Sequence, residues 1–540
     1  MKLVAASTIL ASAMATHELR KSTPTHYSKI GVPEKSSLIE LTFLLRNNEA
    51  GVEDLKREFQ ARSDPNNTLY GKWLSNDEVH LMTQPSKEAV QAMSQFGARC
   101  RDTSCSFMTL ETTFAAAEEL LDTTYHKWQH KDGAVLHRTD RYTLPKELAD
   151  HVVVVGPTVR FPNSPSAILG GELEAGQGND PATLRKLYKV NDAVGGAASS
   201  NRQAVTAFLK QLYSEDDLNT FFDNQAPFAA KTPISLIGDA TAGSPGVESM
   251  LDIEYMPAMG ALNPTEFWGF SGASPNDAED EPFLTWLYTA GNTTDAEIPL
   301  VFSTSYGEDE DSEVTTDYSD RINVEFMKLG VRGVSVLFAS GDSGAVGMGP
   351  DKCPGDKFVP KWPSGSPYIT AVGGTLGKAM PEESWTGSSG GFSNVFETPA
   401  WQKDAVAAYV NITDSDMPAL SYYSQTGRGF PDISAAAVEY PVVIHGATMG
   451  VAGTSCASPC ASGIFGMLND ARLAAGKSSL GFLNPVLYAN AGALNDVTIG
   501  KQQGCSAKVG GFPAKEGWDA VTGLGSPNYE KLLEVVMALP

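Results

Sequence analysis

A hydroxyl nucleophile is the first chemistry this chain offers. Ser455 lies in Val451-Ala452-Gly453-Thr454-Ser455-Cys456-Ala457-Ser458-Pro459, after an apolar β-like run (440–444) and a glycine-bearing turn, and a helical pattern over 459–476 follows. That order puts Ser455 at a strand-to-helix turn, where unpaired N–H groups and the helix dipole favour an anion. An oxyanion formed by attack of the hydroxyl would land beside those donors. Gly-Thr-Ser by itself is also an ordinary helix cap; the whole nine-residue stretch favours the nucleophile.

A serine needs a base, usually histidine. Of the eight histidines, seven (17, 26, 80, 126, 130, 137 and 151) precede residue 152, and only His445 lies beyond. No histidine falls in 152–444, so the base is expected to be a carboxylate, which implies work in acid. Glu248 and Asp252 are an i,i+4 pair that shares a face if 246–255 is helical. Met250, Leu251, Ile253, Tyr255 and Met256 crowd them, and no Lys or Arg occurs in 232–320. Crowded carboxylates without a cation repel, and one of them should hold its proton unusually well. A solvated acidic face is the plainer alternative. Asp342, in Ser340-Gly341-Asp342-Ser343-Gly344, ends the apolar run 334–338. Sites gather at such strand ends, and a protonated carboxyl there could donate to an oxyanion. Turn formation and metal ligation are the other uses of an acid at that place. Near the C-terminus Asp496-Val497 and Lys515-Glu516-Gly517-Trp518-Asp519 offer carboxylates and turn carbonyls of the hard-oxygen kind that suits Ca²⁺. Glu308-Asp309-Glu310-Asp311 reads as a solvated surface run.

The elements that must position these groups change character along the chain. Residues 37–160 read as a self-contained α+β unit, with helical patterns over 49–61, 86–96 and 113–125 and strands at 37–45 and 151–155. Residues 161–180, rich in Pro, Gly and Ser, have the composition of an exposed, cleavable linker. From 181 to 540 short apolar runs alternate with helices, the pattern of parallel strands buried on both faces in a doubly wound α/β core. Residues 1–15 read as a secretory signal, with Lys2, a short apolar run and small residues at a cleavage site. No other run is long enough to span a bilayer.

The chain of 540 residues carries a formal charge of −24. Residues 1–200 have 22 Lys+Arg against 24 Asp+Glu (net −2), and 201–540 have 18 against 40 (net −22). So acidic a half argues against nucleic acid as a partner. Six cysteines do not make a disulfide scaffold: Cys100 and Cys105 could close a small loop, Cys353 and Cys505 could pair, and Cys456 and Cys460 read as buried apolar residues. Sequons at Asn66, Asn292 and Asn411 permit glycosylation.

These motifs together resemble the sedolisins, the serine-carboxyl peptidases that include kumamolisin and the tripeptidyl peptidases. Gly453-Thr454-Ser455 through Pro459 is similar to the nucleophile motif, with Cys456 where alanine is more usual. Glu248 and Asp252 match Glu-x-x-x-Asp, and 340–344 match the segment of the oxyanion aspartate. Residues 364–375 and 390–393 resemble supporting stretches, and Tyr70-Gly71-Lys72-Trp73-Leu74-Ser75 within 16–160 resembles the activation prodomain. Pro181 to Tyr188 resembles the start of the mature domain, with Thr183 where many relatives have a disulfide cysteine. The resemblance implies a subtilisin-like fold and a zymogen processed within 161–180, its own prodomain serving as its first partner. It implies Ser455 as nucleophile, Glu248 as base, Asp252 as its holder and Asp342 as oxyanion donor. One structural Ca²⁺ would sit on the Asp496 and Asp519 side chains and the carbonyls of Val497, Lys515 and Gly517. The expectation is a secreted acid peptidase releasing tripeptides from free N-termini. An endopeptidase and an inactive, calcium-stabilised binding protein are the alternatives.

Overall fold

The computed structural model describes residues 16–20, 27–130, 135–161, 168–173, 177–209, 211–239, 241–270, 282–349 and 351–540. The signal segment 1–15 and parts of the linker (162–167 and 174–176) lie outside the described residues. Contacts divide the chain into two compact units.

The first unit takes its described residues from within 1–48 and 84–161. Leu38–Leu45 pairs antiparallel with Phe107–Thr113 on one side and with Val152–Gly156 on the other. Ile39, Leu41, Phe43, Met93, Phe114 and Leu148 form its core. Helix Lys87–Gln95 starts where the Ser86 hydroxyl accepts from Ala89 N at 3.1 Å, as its sequence predicts. The helix read over 113–125 is shorter, Phe114–Leu121, because Asp122 takes a left-handed conformation (φ 43°) and ends it.

The expected self-containment of 37–160 does not hold. Residues 49–83 group with the second unit. The apolar stripe of helix Glu49–Ser63 explains this: Leu55 and Phe59 cluster with Val324, Met327, Val331 and Phe482. The Phe59 and Phe482 ring centroids are 4.8 Å apart.

The second unit is built on a seven-stranded parallel sheet. Its strands are β1 (Gln203–Ala207), β2 (Ile234–Ile237), β3 (Thr265–Gly269), β4 (Val301–Thr304), β5 (Ser335–Ala339), β6 (Thr370–Thr375) and β7 (Ile433–Ala436). Their order is β2-β3-β1-β4-β5-β6-β7, and every pairing is parallel. All residues of β1 and β3–β7 are buried, so both faces are covered, as continuous apolar runs predict. The edge strand β2 alone is partly exposed. A hairpin of β8 (Tyr440–Ile444) and β9 (Ala447–Ala452) follows, and strand Ile168–Glu172 of the linker pairs antiparallel with β9. Three helices matter for the site: α1 (Val247–Met259), α2 (Thr316–Val331) and α3 (Thr454–Ala474). Here α3 begins five residues before Pro459, the start the sequence suggested. The glycine-bearing turn is in fact followed by strand β9 before the helix.

Candidate active site

Two buried helices bring the chemistry together. Helices α1 and α3 pack at short range because Gly463 has no side chain: a Cβ there would sit 2.5 Å from Met256 O. Ser303 at the β4 end and Ser458 in α3 exchange a hydrogen bond of 2.8 Å, which fixes the first turns of α3 against the sheet. Ser455 lies in the first turn of α3, buried, at the dipole's positive end.

Glu248 and Asp252 lie one turn apart on α1, both at most 3% exposed. The Ser455 and Ser305 hydroxyls both favour the Glu248 anion, yet neither Glu248 oxygen has a partner at full hydrogen-bond geometry. Catalytic contacts of this kind tighten when substrate binds. Ser305 donates to Asp252 Oδ1 at 3.1 Å, while Asp252 Oδ2 has no hydrogen-bond partner. Burial pushes Glu248 and Asp252 above the usual carboxylate range. Asp342 adds repulsion at Glu248, and Glu248 adds it at Asp252.

Asp342 follows β5; the residue is partly exposed, while its carboxyl is turned inward onto Thr454. Its Oδ1 accepts from Thr454 N at 2.7 Å and from the Thr454 hydroxyl at 2.8 Å. Thr454 thus ties this carboxyl to the residue preceding Ser455. Burial raises Asp342 to about 6 against those two bonds and the charge of Lys361. Sequence reasoning placed all four groups on their elements. It missed Ser305 and Thr454 as their holders: Thr454 stands inside the nucleophile stretch itself, and no sequence signal marks Ser305.

The acidic run 308–311 is not the solvated surface its composition suggested: Glu308, Asp309 and Glu310 are buried. Each carboxylate whose bonds are described has found donors. Asp309 pairs with Lys361, and Glu310 accepts from the Ser393 hydroxyl at 2.6 Å and Asn394 N at 2.7 Å. The Cys456 thiol is fully buried and held well above its ordinary range, first by burial, so it is no nucleophile. Cys100–Cys105 and Cys353–Cys505 form the disulfides that spacing allowed, and Cys460, like Cys456, is free and buried.

At the C-terminal loop, Asp496 Oδ2 accepts from Gly517 N at 2.8 Å and Asp519 Oδ2 from Lys515 N at 3.1 Å. Both carboxylates therefore address the 515–517 turn, which Gly517 closes with φ 83°. Asp519 is fully buried and pushed up to about 7 by that burial. The Lys515 ammonium goes to Asp414 instead. Two carboxylates directed at one turn are the hard-oxygen chemistry that suits a hard cation. Among the described residues no group of three or more His, Cys, Asp or Glu side chains gathers as a metal site.

The comparisons with known proteins follow the same lines. Residues 25–161 match the pro-kumamolisin activation domain and 286–497 the subtilase family. Tripeptidyl-peptidase 1 of Canis lupus familiaris is 35% identical over 550 residues, covering 96% of this chain and 95% of its own. The Mus musculus protein of that name is 36% identical over 546 residues, covering 95% and 94%. The chain belongs to the sedolisin family. It is thus a serine-type peptidase, with an activation prodomain ahead of a subtilisin-like domain. In structure, this sedolisin is similar to a Pseudomonas sedolisin, a serine-carboxyl proteinase, with a TM-score of 0.54 and 21% identity over 68% of this chain and 99% of that one. That likeness concerns the fold. Among the described residues no helix of this sedolisin is long and apolar enough to cross a membrane.

Proposed function

We propose that the chain is a secreted zymogen of an acid-acting peptidase that releases tripeptides from the free N-termini of peptides or proteins. The observation that carries this is the Glu248–Asp252 pair, buried beside Ser455 with no cation among the groups that perturb it. Ser455 Oγ attacks the scissile carbonyl. Glu248 takes its proton and later gives it to the leaving amine. Asp252, held by Ser305, shares the pair's proton, and the two titrate as a unit. Asp342, protonated, donates to the oxyanion together with the Ser455 N–H. Turnover should therefore fall as pH rises through about 6, where Asp342 ionises. The tripeptide specificity draws support from the relatives' activity as their names state it. The domain boundaries we favour are a signal at 1–15, a prodomain at 16–160, a linker processed within 161–180 and a catalytic domain at 181–540.

One Ca²⁺ would be held by Asp496 and Asp519 and the carbonyls of Val497, Lys515 and Gly517, as a clip on the C-terminal loops. Chelation should lower the melting temperature; an unchanged value excludes that role. The deciding assay incubates acid-activated protein at about pH 4, near the carboxylate reference range. It uses one peptide with a free N-terminus and a reporter after its third residue, and another that is N-blocked and internally quenched. Cleavage of the first alone supports tripeptide release, cleavage of the blocked peptide makes it an endopeptidase, and silence on both points to a binding protein. Ser455→Ala should lose on the order of 10⁶ in kcat with the fold intact.

A further inference from the structure

We propose that the buried Asp309–Lys361 pair is a positioning device for Asp342: it sets the charge that Asp342 feels, and so the upper pH limit of turnover. This rests on the reading of Asp342 as the oxyanion donor.

Asp309 and Lys361 face each other across a short antiparallel pairing in which Glu308 opposes Trp362. Their side chains are 6% and 3% exposed and form an ion pair. Both ends are fixed by further bonds. Lys361 Nζ donates to Val346 O at 2.8 Å, and Asp309 Oδ2 accepts from Met348 N at 2.8 Å. Asp309 N in turn donates to Glu313 Oε2 at 2.7 Å. The pair thereby clamps the loop that runs on from Asp342. The Lys361 stem also lies against the residue before Asp342: a Cβ on Gly341 would be 3.4 Å from Lys361 Cγ. A lysine so held cannot swing out to water, and its charge acts through protein rather than solvent.

The charged and titratable neighbours oppose one another. Glu248 and the Cys456 thiol face Asp342 from α1 and α3. Thr454 supplies neutral donors, and Lys361 is the cation that favours the Asp342 anion. Asp309 offsets part of the Lys361 charge. Removing the lysine charge takes away the cation that favours the Asp342 anion, and Asp342 stays protonated to higher pH. Removing the Asp309 charge frees the cation, and Asp342 ionises earlier.

The test measures kcat against pH in full-length protein after acid activation, with the free-N-terminus reporter peptide. Asp309→Asn, nearly isosteric, should move the upper limb down by about half a pH unit, and Lys361→Met should move it up by a similar amount. Lys361→Arg keeps the charge and should restore the parent limb. Shifts of opposite sign support the proposal. A limb that stays put, or the same uniform loss of kcat in both variants, makes the pair a structural clamp and overturns it. If Lys361→Met does not fold, the direction of the Asp309→Asn shift alone decides. Asp342→Asn separates the two levels. If that variant turns over normally, the oxyanion reading itself fails. If it is crippled while the other limbs are unmoved, only this inference fails.

Discussion

The two units of this sedolisin answer acid in opposite senses, and for one physical reason. In the first unit His137 is buried against Phe114, with ring centroids 4.9 Å apart. Burial, then the charges of Lys127 and Arg138, pushes it down to about 4. A neutral buried imidazole contributes stability that is present above its ordinary 6.5 and lost as pH falls toward about 4. In the second unit burial raises Asp342 to about 6 and Glu310 to about 7. Their contributions are full below the ordinary carboxylate range and lost as pH rises through those raised values. Burial favours the neutral form in both places. For a base the neutral form belongs to high pH, and for an acid to low pH. Between about pH 4 and 6.5 one proton concentration therefore loosens the prodomain's core unit and firms the catalytic one.

The largest break in this comparison is Glu248→Gln. Loss of the base should lower kcat about 10²–10⁴-fold. The amide cannot ionise, so the second negative charge that the parent's pair takes on as pH rises never forms, and the variant should lose less stability than the parent between pH 4 and pH 8, by scanning calorimetry at both. Equal destabilisation at the two pH values would mean that Glu248 is compensated by a partner, and the contrast between units would lose its main member.

A buried carboxylate inside the second unit marks the limit of the rule. Glu325 on α2 is as deeply buried as Glu248, yet it is held down at about 2. Burial opposes that value, and the nearby charges of Lys328 and Arg321 outweigh it. Their nitrogens lie 2.8 and 2.5 Å from Glu325 Oε1. Its stability is present above the ordinary 4.5 and lost as pH falls toward about 2. Glu325→Gln removes the carboxylate that Arg321 and Lys328 share and should cost about 3–5 kcal/mol at pH 6. Urea midpoints should show the cost shrinking toward pH 2. A cost that does not change with pH would assign it to packing.

Glu248 and Glu325 also show what could be read from the chain alone. The absence of Lys and Arg over 232–320 announced an uncompensated Glu248–Asp252 pair, whereas the compensated Glu325 went unread although Arg321 and Lys328 stand at helical spacing from it. Parallel strands were legible because short apolar runs alternate with helical patterns after residue 181. The acidic run 308–311 misled, because composition does not tell that Lys361, some fifty residues on, returns beside Asp309. Nor does sequence separation tell that residues 49–83 leave their neighbours for the second unit. Phe59 and Phe482 touch across 423 positions, and no local pattern encodes so distant a pairing.

The smallest expected effect isolates the first unit. His137→Phe replaces a titrating ring by an apolar one of similar shape, in a site that already holds the Phe114 ring and where His137 Nδ1 has no hydrogen-bond partner. At pH 7 the imidazole is neutral folded or unfolded, so parent and variant should be cut equally fast in pulse proteolysis at chain positions within 84–161. At pH 5 the unfolded parent gains a proton that its folded form refuses, and its open population should rise about twentyfold relative to pH 7. The variant has no such proton to gain, and its rise should be largely absent. His126, shifted down mainly by burial as well, would leave a smaller residue of the effect. A variant that opens in acid as much as the parent would remove His137 as the source, and acid loosening of this unit would then have to come from its carboxylates, which the buried-base argument does not use.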